Sequence, residues 1–234
     1  MSGTSLDGID VAYLESNGFS LSLLGGWATY PYSQSFRNRL RRINSDPSNQ
    51  NGIERELTEL HYCAVQEFLN RKKLNPEEID LIGFHGHTIE HSPEKSRSVQ
   101  IGDGELLAQK LNITVFNNFR SNDIRHGGQG APLTPIFHSK LAAQFERPLA
   151  VLNIGGVANV TWIGDQEEEL WAFDTGPGNA LIDDWVMRHG AGEYDVGGAI
   201  AARGSINFEV LEELLNHEYF NQNPPKSLDR NEFF

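Results

Sequence analysis

Cysteine occurs once in these 234 residues, as Cys63, so no disulfide can close within the chain. Cys63 sits off the apolar stripe of its helix with no evident basic neighbour, and reads as structural rather than reactive. Cations are scarce as well: 19 Lys and Arg stand against 32 Asp and Glu, a formal net charge of −13. Such an excess opposes attraction to a nucleic-acid backbone and to an anionic bilayer surface, which argues against both as partners. No apolar run approaches the roughly 20 residues that span a bilayer. Met1 to Asp10 carry neither a basic n-region nor an apolar h-region, and a cytoplasmic protein is expected. What remains, 38% hydrophobic residues at a mean hydropathy of −0.44, suits one large domain or two small ones with a buried core. The chain opens directly in a Gly/Ser/Thr run and stops at Asn231-Glu232-Phe233-Phe234 without a closing element, so it is expected to be cut at both ends.

Alternation from Ile9 to Leu14, then at Phe19, Leu21 and Leu23 after Asn17-Gly18, predicts a hairpin. Phe36, Leu40 and Ile43 recur at helical spacing among arginines. Ile53, Leu57, Leu60, Ala64 and Phe68 line a longer helix from Asn51 or Gly52 to about Lys73. Ile79 to Phe84 reads as a buried strand delivering a loop at its carboxyl end. Strand, helix, strand and helix follow at Val99–Ile101, Asp103–Leu111, Ile113–Phe116 and Leu133–Phe145, and the alternation implies an α/β class. Pro148–Ile154, Val157–Ile163 and Leu170–Phe173 predict three more strands. A helix over Ala180–Arg188, with Asn179 as N-cap, follows them, and an apolar helix passes through Phe208, Leu211 and Leu215. A composition shift near Gln144 to Leu149 places a boundary between residues 1–146 and 147–234.

Three glycine-rich turns, Gly3 to Gly8, Gly127 to Gly130 and Gly155-Gly156, fall beside strand ends, where backbone N–H groups can approach an oxyanion. Glycine also serves any strained turn, so each alone says little. None is a P-loop, since no Gly-Lys-Ser/Thr follows, and none is a GxGxxG opening a helix. Asp7 lies in the first turn, Asp174 ends a strand, and Asp183 and Asp184 open the following helix, where its dipole favours carboxylates of any purpose. Leu181, Ile182, Trp185 and Val186 form the apolar stripe of that helix; Asp183 and Asp184 flank it almost symmetrically, and periodicity does not choose between them. His85-Gly86-His87, His91, His126 and His138 lack cysteine partners and regular spacing, which favours a neutral donor to a polar ligand over a zinc site.

Taken in order, MSGTSLDGIDVAYL, GFHGHTIEHSP, DIRHGGQGAPLTPIFH, LNIGGVANVTWI and FDTGPGNALIDDW, with PPKSLDR near the end, closely resemble the anhydro-N-acetylmuramic acid kinase family of bacterial cell-wall recycling. Arg125-His126 stand where that family usually has small residues. The resemblance implies an actin-like (ribonuclease H-like) fold of two α/β lobes, the second incomplete here, with ATP between them. It implies a cytoplasmic enzyme of peptidoglycan recycling that transfers the γ-phosphoryl of ATP to O6 of 1,6-anhydro-N-acetylmuramate while water opens the anhydro bridge. The alternative is a non-catalytic sugar-binding fragment.

The family's catalytic aspartate falls in DTGPGN-x-L-x-D, which matches Asp183 as general base. Gly3, Thr4, Ser5, Leu6, Asp7, Gly8, Ile9 and Asp10 resemble the first ATP-phosphate hairpin, and Gly155 and Gly156, within Asn153 to Asn159, the second. Asp7 is the residue that would place Mg²⁺, through water. His85, Gly86, His87, Thr88 and Gln129, together with Asp174, Thr175, Gly176, Gly178 and Asn179, are matched to the sugar. A homodimer is the assembly the family suggests.

Overall fold

The structure, a computed structural model, describes residues 1–3, 6–45, 52–92, 95, 97–166, 169–228 and 232–233. The chain is mixed α/β and divides into two compact units, Met1–Ala131 and Pro132–Phe234.

In the first unit, β1 (Gly8–Ser16) and β2 (Leu21–Pro31) form the expected antiparallel hairpin. Its turn closes because Asn17 Oδ1 accepts the N–H groups of Phe19 and Ser20 at 2.9 and 2.8 Å, with Gly18 supplying φ +87°. Helix α1 (Gln34–Ser45) buries Phe36, Leu40 and Ile43, the i, i+4, i+7 stripe, and leaves Arg39, Arg41 and Arg42 in solvent. Helix α2 (Ile53–Lys72) is buried on two sides. Ile53, Leu57 and Ala64 join α1 and β1 in one apolar cluster, while Val65 and Leu69 join Phe84, Leu107 and Ile113 in a second.

Thr58, fully buried on α2, donates to Glu54 O at 2.8 Å and accepts the Asp103 N–H at 3.0 Å. It thereby fixes the start of α3 (Gly104–Leu111), which Asp103 caps through the Leu106 N–H at 2.9 Å.

The run Ile79–Phe84 forms a shorter strand than expected: β3 is only Ile82–Gly83, parallel to an equally short β6 (Val115–Phe116). Pro76–Glu78 is a 3₁₀ turn capped by Asn75, and β6 offers Ile82 and Gly83 their only register partners in this pair. Strands β4 (His87–Ser92) and β5 (Arg97–Ile101) pair antiparallel, and β4 begins where the loop after β3 ends. Ser2 bridges Ile9 on one side and His87 on the other, joining the two hairpins.

In the second unit, β7 (Leu149–Ile154), β8 (Val157–Ile163) and β9 (Leu170–Pro177) form an antiparallel meander. Strand β9 continues past the expected end at Phe173, through Asp174-Thr175-Gly176, because Asn159 and Ala158 of β8 pair with Asp174 and Gly176 across a bulge. Numbering the short Ser121–Arg125 helix as α4, helix α5 (Thr134–Leu141) packs on β8 and β9, and His138 Nδ1 lies 2.8 Å from the buried Thr161 hydroxyl. It stops four residues before the expected Phe145, in a turn where Phe145 N–H bonds Ala142 O at 3.0 Å ahead of Pro148. Helices α6 (Ala180–Arg188) and α7 (Phe208–Leu215) complete the unit.

Candidate functional site

The first glycine turn is held from behind. Leu6 takes φ +59°, a conformation disfavoured for a branched side chain, while that side chain is buried in the first apolar cluster. Its N–H reaches Gly3 O at 3.1 Å, and the Tyr32 N–H reaches Asp7 O at 3.0 Å. Gly8 has no room for a side chain: a Cβ would stand 2.4 Å from the Tyr30 carbonyl oxygen. Asp7 is exposed, one carboxylate oxygen accepting the Gly8 N–H at 3.0 Å, and Asp10 accepts the Thr29 hydroxyl at 2.6 Å. Thr4 and Ser5 lie outside the described residues.

Beside that turn stand His85, in the β3–β4 loop, and His87, the first residue of β4. His87 is fully buried, its Nδ1 3.1 Å from the Ser2 hydroxyl, and its Nε2 has no hydrogen-bond partner among the described residues. Gly86, at φ +70°, has Ile101 O where a Cβ would sit, at 2.3 Å. His85 has both ring nitrogens engaged. Arg120 Nε donates to His85 Nε2 at 3.1 Å, and since a guanidinium only donates, the ring proton must be on Nδ1, which faces Gly86 O at 3.2 Å. Burial pushes the pKa of His85 and of His87 below the ordinary value, and the Arg120 charge adds to the effect on His85. Thr88 accepts from Gln100 Nε2 at 3.3 Å.

Arg120 also ties in the Gly127–Gly130 turn, donating from Nη1 to Gly130 O at 2.6 Å. Asp123 clamps the same turn through the Gly130 N–H at 2.7 Å. Gln129 is left exposed between these anchors. The first glycine turn, the His85–Thr88 segment and the Gly127–Gly130 turn are thus joined in one unit through Ser2 and Arg120.

The second unit gathers the rest. The β7–β8 turn and the β9–α6 turn lock backbone to backbone: Asn179 N–H to Gly155 O at 2.7 Å, Gly178 N–H to Gly156 O at 3.0 Å, Ala180 N–H to Gly156 O at 3.2 Å. Asn179 stands at the N-cap position but does not cap. Its backbone is helical (φ −72°, ψ −16°), and its Nδ2 donates to Ile154 O at 3.2 Å, tying the two turns together. Asp183 is in the first turn of α6, half-buried, with no hydrogen bond or ion pair to its carboxylate among the described residues. The α6 stripe is narrower than expected: Val186 and Ala180 are buried, whereas Ile182 and Trp185 are exposed, Trp185 stacking at 4.0 Å on His189.

A family model described as anhydro-N-acetylmuramic acid kinase matches residues 1–234. The chain belongs to the anhydro-N-acetylmuramic acid kinase family. It is similar to proteins of that name from Paramagnetospirillum magneticum (48% identical over 233 residues), Gluconobacter oxydans (48% over 244) and Rhodospirillum rubrum (47% over 238). All of this chain is covered in each case, and 65%, 67% and 63% of the relatives. The chain therefore spans about two thirds of the length of the curated kinases it matches.

In this member of the anhydro-N-acetylmuramic acid kinase family, the PPKSL segment folds back onto β9. The Asp174 N–H bonds Lys226 O at 3.0 Å, Asp174 Oδ2 accepts the Leu228 N–H at 2.8 Å, and Tyr219 OH donates to Asp174 O at 2.6 Å. Burial raises the Asp174 pKa, partly offset by the Leu228 N–H. Thr175 donates to Ala158 O at 3.2 Å, and Thr175, Gly176 and Pro177 line an apolar groove of about 290 Å³ with Leu211, Leu214 and Phe220. Arg125 and His126 are exposed at the end of α4. Among the described residues no three His, Cys, Asp or Glu side chains gather as a metal site, and no helix is long and apolar enough to cross a membrane. Ser2, Arg120 and Asp123 carried no sequence signal, because each acts on a segment distant in sequence or through a single contact.

Proposed function

We propose that the chain carries the phosphate turns, sugar-side loops and catalytic base of an ATP-dependent kinase. That kinase converts 1,6-anhydro-N-acetylmuramate and water to N-acetylmuramate 6-phosphate, in cytoplasmic peptidoglycan recycling. The arrangement proposed is the actin-like two-lobe fold, divided near residues 146/147, with the second lobe incomplete in this sequence and a homodimer as the assembly.

The observation that carries this reading is the lock between Gly155-Gly156 and Gly178-Asn179, which sets the start of α6, and with it Asp183, beside a backbone turn suited to phosphate. Asp183 takes the proton from water as it attacks the anomeric carbon. Its carboxylate, with no protein partner among the described residues, has lone pairs for that purpose. Opening the bridge leaves O6 as an alkoxide-like nucleophile for the γ-phosphorus, so one base serves both events. Positioning and charge neutralisation supply most of the remaining acceleration.

Gly3 to Asp10 and Gly155-Gly156 are proposed to cradle the phosphates through backbone N–H groups. The exposed carboxylate of Asp7, one oxygen already steadied by the Gly8 N–H, fits a hard cation that keeps most of its waters. Mg²⁺ there would neutralise phosphate charge. His85, Gly86, His87, Thr88, Gln129, Asp174, Thr175, Gly176, Gly178 and Asn179 are proposed to shape the sugar side.

The test is incubation with ATP, Mg²⁺ and 1,6-anhydro-N-acetylmuramate, using this chain and a version completed to the length of its relatives. A 6-phosphorylated, bridge-opened sugar is expected from the completed version, and its absence there sinks the reading.

A further inference from the structure

We propose that Arg120 reads the carboxylate of the sugar, so that its guanidinium sets a preference for an acidic, muramyl-type amino sugar over the neutral sugar lacking the lactyl group; this rests on the kinase reading above. The Arg120 guanidinium is half-buried, yet no carboxylate pairs with it among the described residues. Three other cations on this unit do have a carboxylate partner: Arg39 pairs with Glu56, Lys110 with Glu59, and Arg97 with Glu90 at 3.0 Å. A desolvated charge without a counter-charge is unfavourable unless a ligand supplies one.

The anchors of Arg120 point the same way. Nε is spent on His85 Nε2 at 3.1 Å and Nη1 on Gly130 O at 2.6 Å, both neutral acceptors. They fix the plane of the group without cancelling its charge. A guanidinium has five N–H donors in a rigid fork, so Nη2 and the second Nη1 hydrogen remain for an oxyanion. Arg120 also joins the His85 loop to the Gly127–Gly130 turn, the two segments of this unit proposed for the sugar. In a chain of net charge −13, an uncompensated cation is a local means of attracting an anionic ligand. Phosphate and carboxylate share this chemistry; the sugar-side neighbours favour the carboxylate.

Calorimetry separates the sources. The chain completed to the length of its relatives, and its Arg120→Gln and Arg120→Lys variants, are titrated with 1,6-anhydro-N-acetylmuramate, with neutral 1,6-anhydro-N-acetylglucosamine and with Mg²⁺-ATP. The unchanged chain should prefer the acidic sugar. Arg120→Gln should lose about 10- to 100-fold in affinity for it, the scale of a charge-assisted hydrogen bond, only a few-fold for the neutral sugar through the loosened His85 and Gly130 anchors, and nothing for ATP. Arg120→Lys should recover part of the loss. Equal weakening toward both sugars, weakening toward ATP alone, or no weakening in Arg120→Gln overturns the proposal. If the unchanged chain binds both sugars equally, only this inference falls, and that comparison needs no variant; if it binds neither, the kinase reading falls with it.

Discussion

Gly178 lies so close to Gly155 that a Cβ on Gly178 would stand 2.2 Å from the Gly155 carbonyl oxygen. This contact allows the β7–β8 turn to dock against the start of α6. Gly178→Ala must push the turns apart, at a cost of about 1–3 kcal/mol, and shift Asp183 with α6. Gly156→Ala is the control, because a Cβ there meets Ala180 Cβ at an ordinary 3.6 Å. Denaturant unfolding should show the loss in the first variant and none in the second.

Thr58 is fully buried and supplies the oxygen that satisfies the Asp103 N–H at 3.0 Å. Thr58→Val keeps the shape and removes that acceptor, leaving the part-buried Asp103 N–H without its partner. A loss of about 1–3 kcal/mol in unfolding free energy is expected, whereas Thr58→Ser should lose less.

His61, buried against Phe84, has its pKa lowered from near 6.5 to about 4, chiefly by desolvation. Between those values the unfolded chain binds more protons than the folded one. The contribution of neutral His61 is therefore full above about pH 6.5 and lost as pH falls toward 4, by up to about 3 kcal/mol. His85 and His87 shift in the same direction and add to the slope. Unfolding measured at pH 7.5 and pH 5 should show the loss, and His61→Leu should reduce it, leaving the part due to His85 and His87.

Asp174 holds the Leu228 N–H at 2.8 Å through its side chain. Asp174→Asn retains an acceptor oxygen and should keep that amide protected from hydrogen exchange to within a few-fold. Asp174→Ala should speed its exchange by about tenfold or more, since a hydrogen bond to a charged group is worth about 1.5–3 kcal/mol.

What could be read ahead of the structure follows from distance along the chain. The period of Phe36, Leu40 and Ile43, the stripe of α2 and the span of α6 are local signals, and each helix forms there. Short β3 was not legible as such, because its length is set by the two residues its partner offers 33 positions later. The glycine turns were visible as composition, but their purposes differ: Gly8, Gly86 and Gly178 are dictated by carbonyl oxygens of other segments. Asn179 looked like a cap by residue type, and the docking of the β7–β8 turn gave its side chain another partner. The His85–Arg120 pair, 35 residues apart, has no local pattern to betray it.

Asp183 is the proposed base that activates water. In the version completed to the length of its relatives, Asp183→Asn should lower turnover by about 10²–10⁴-fold, abolishing bridge opening and 6-phosphorylation together while sugar affinity changes little. Asp184→Asn should stay within about tenfold of the unchanged enzyme. The decisive measurement is single-turnover product analysis of Asp183→Asn: loss of both chemical events with sugar still bound is the predicted result, and either event proceeding at full rate contradicts it.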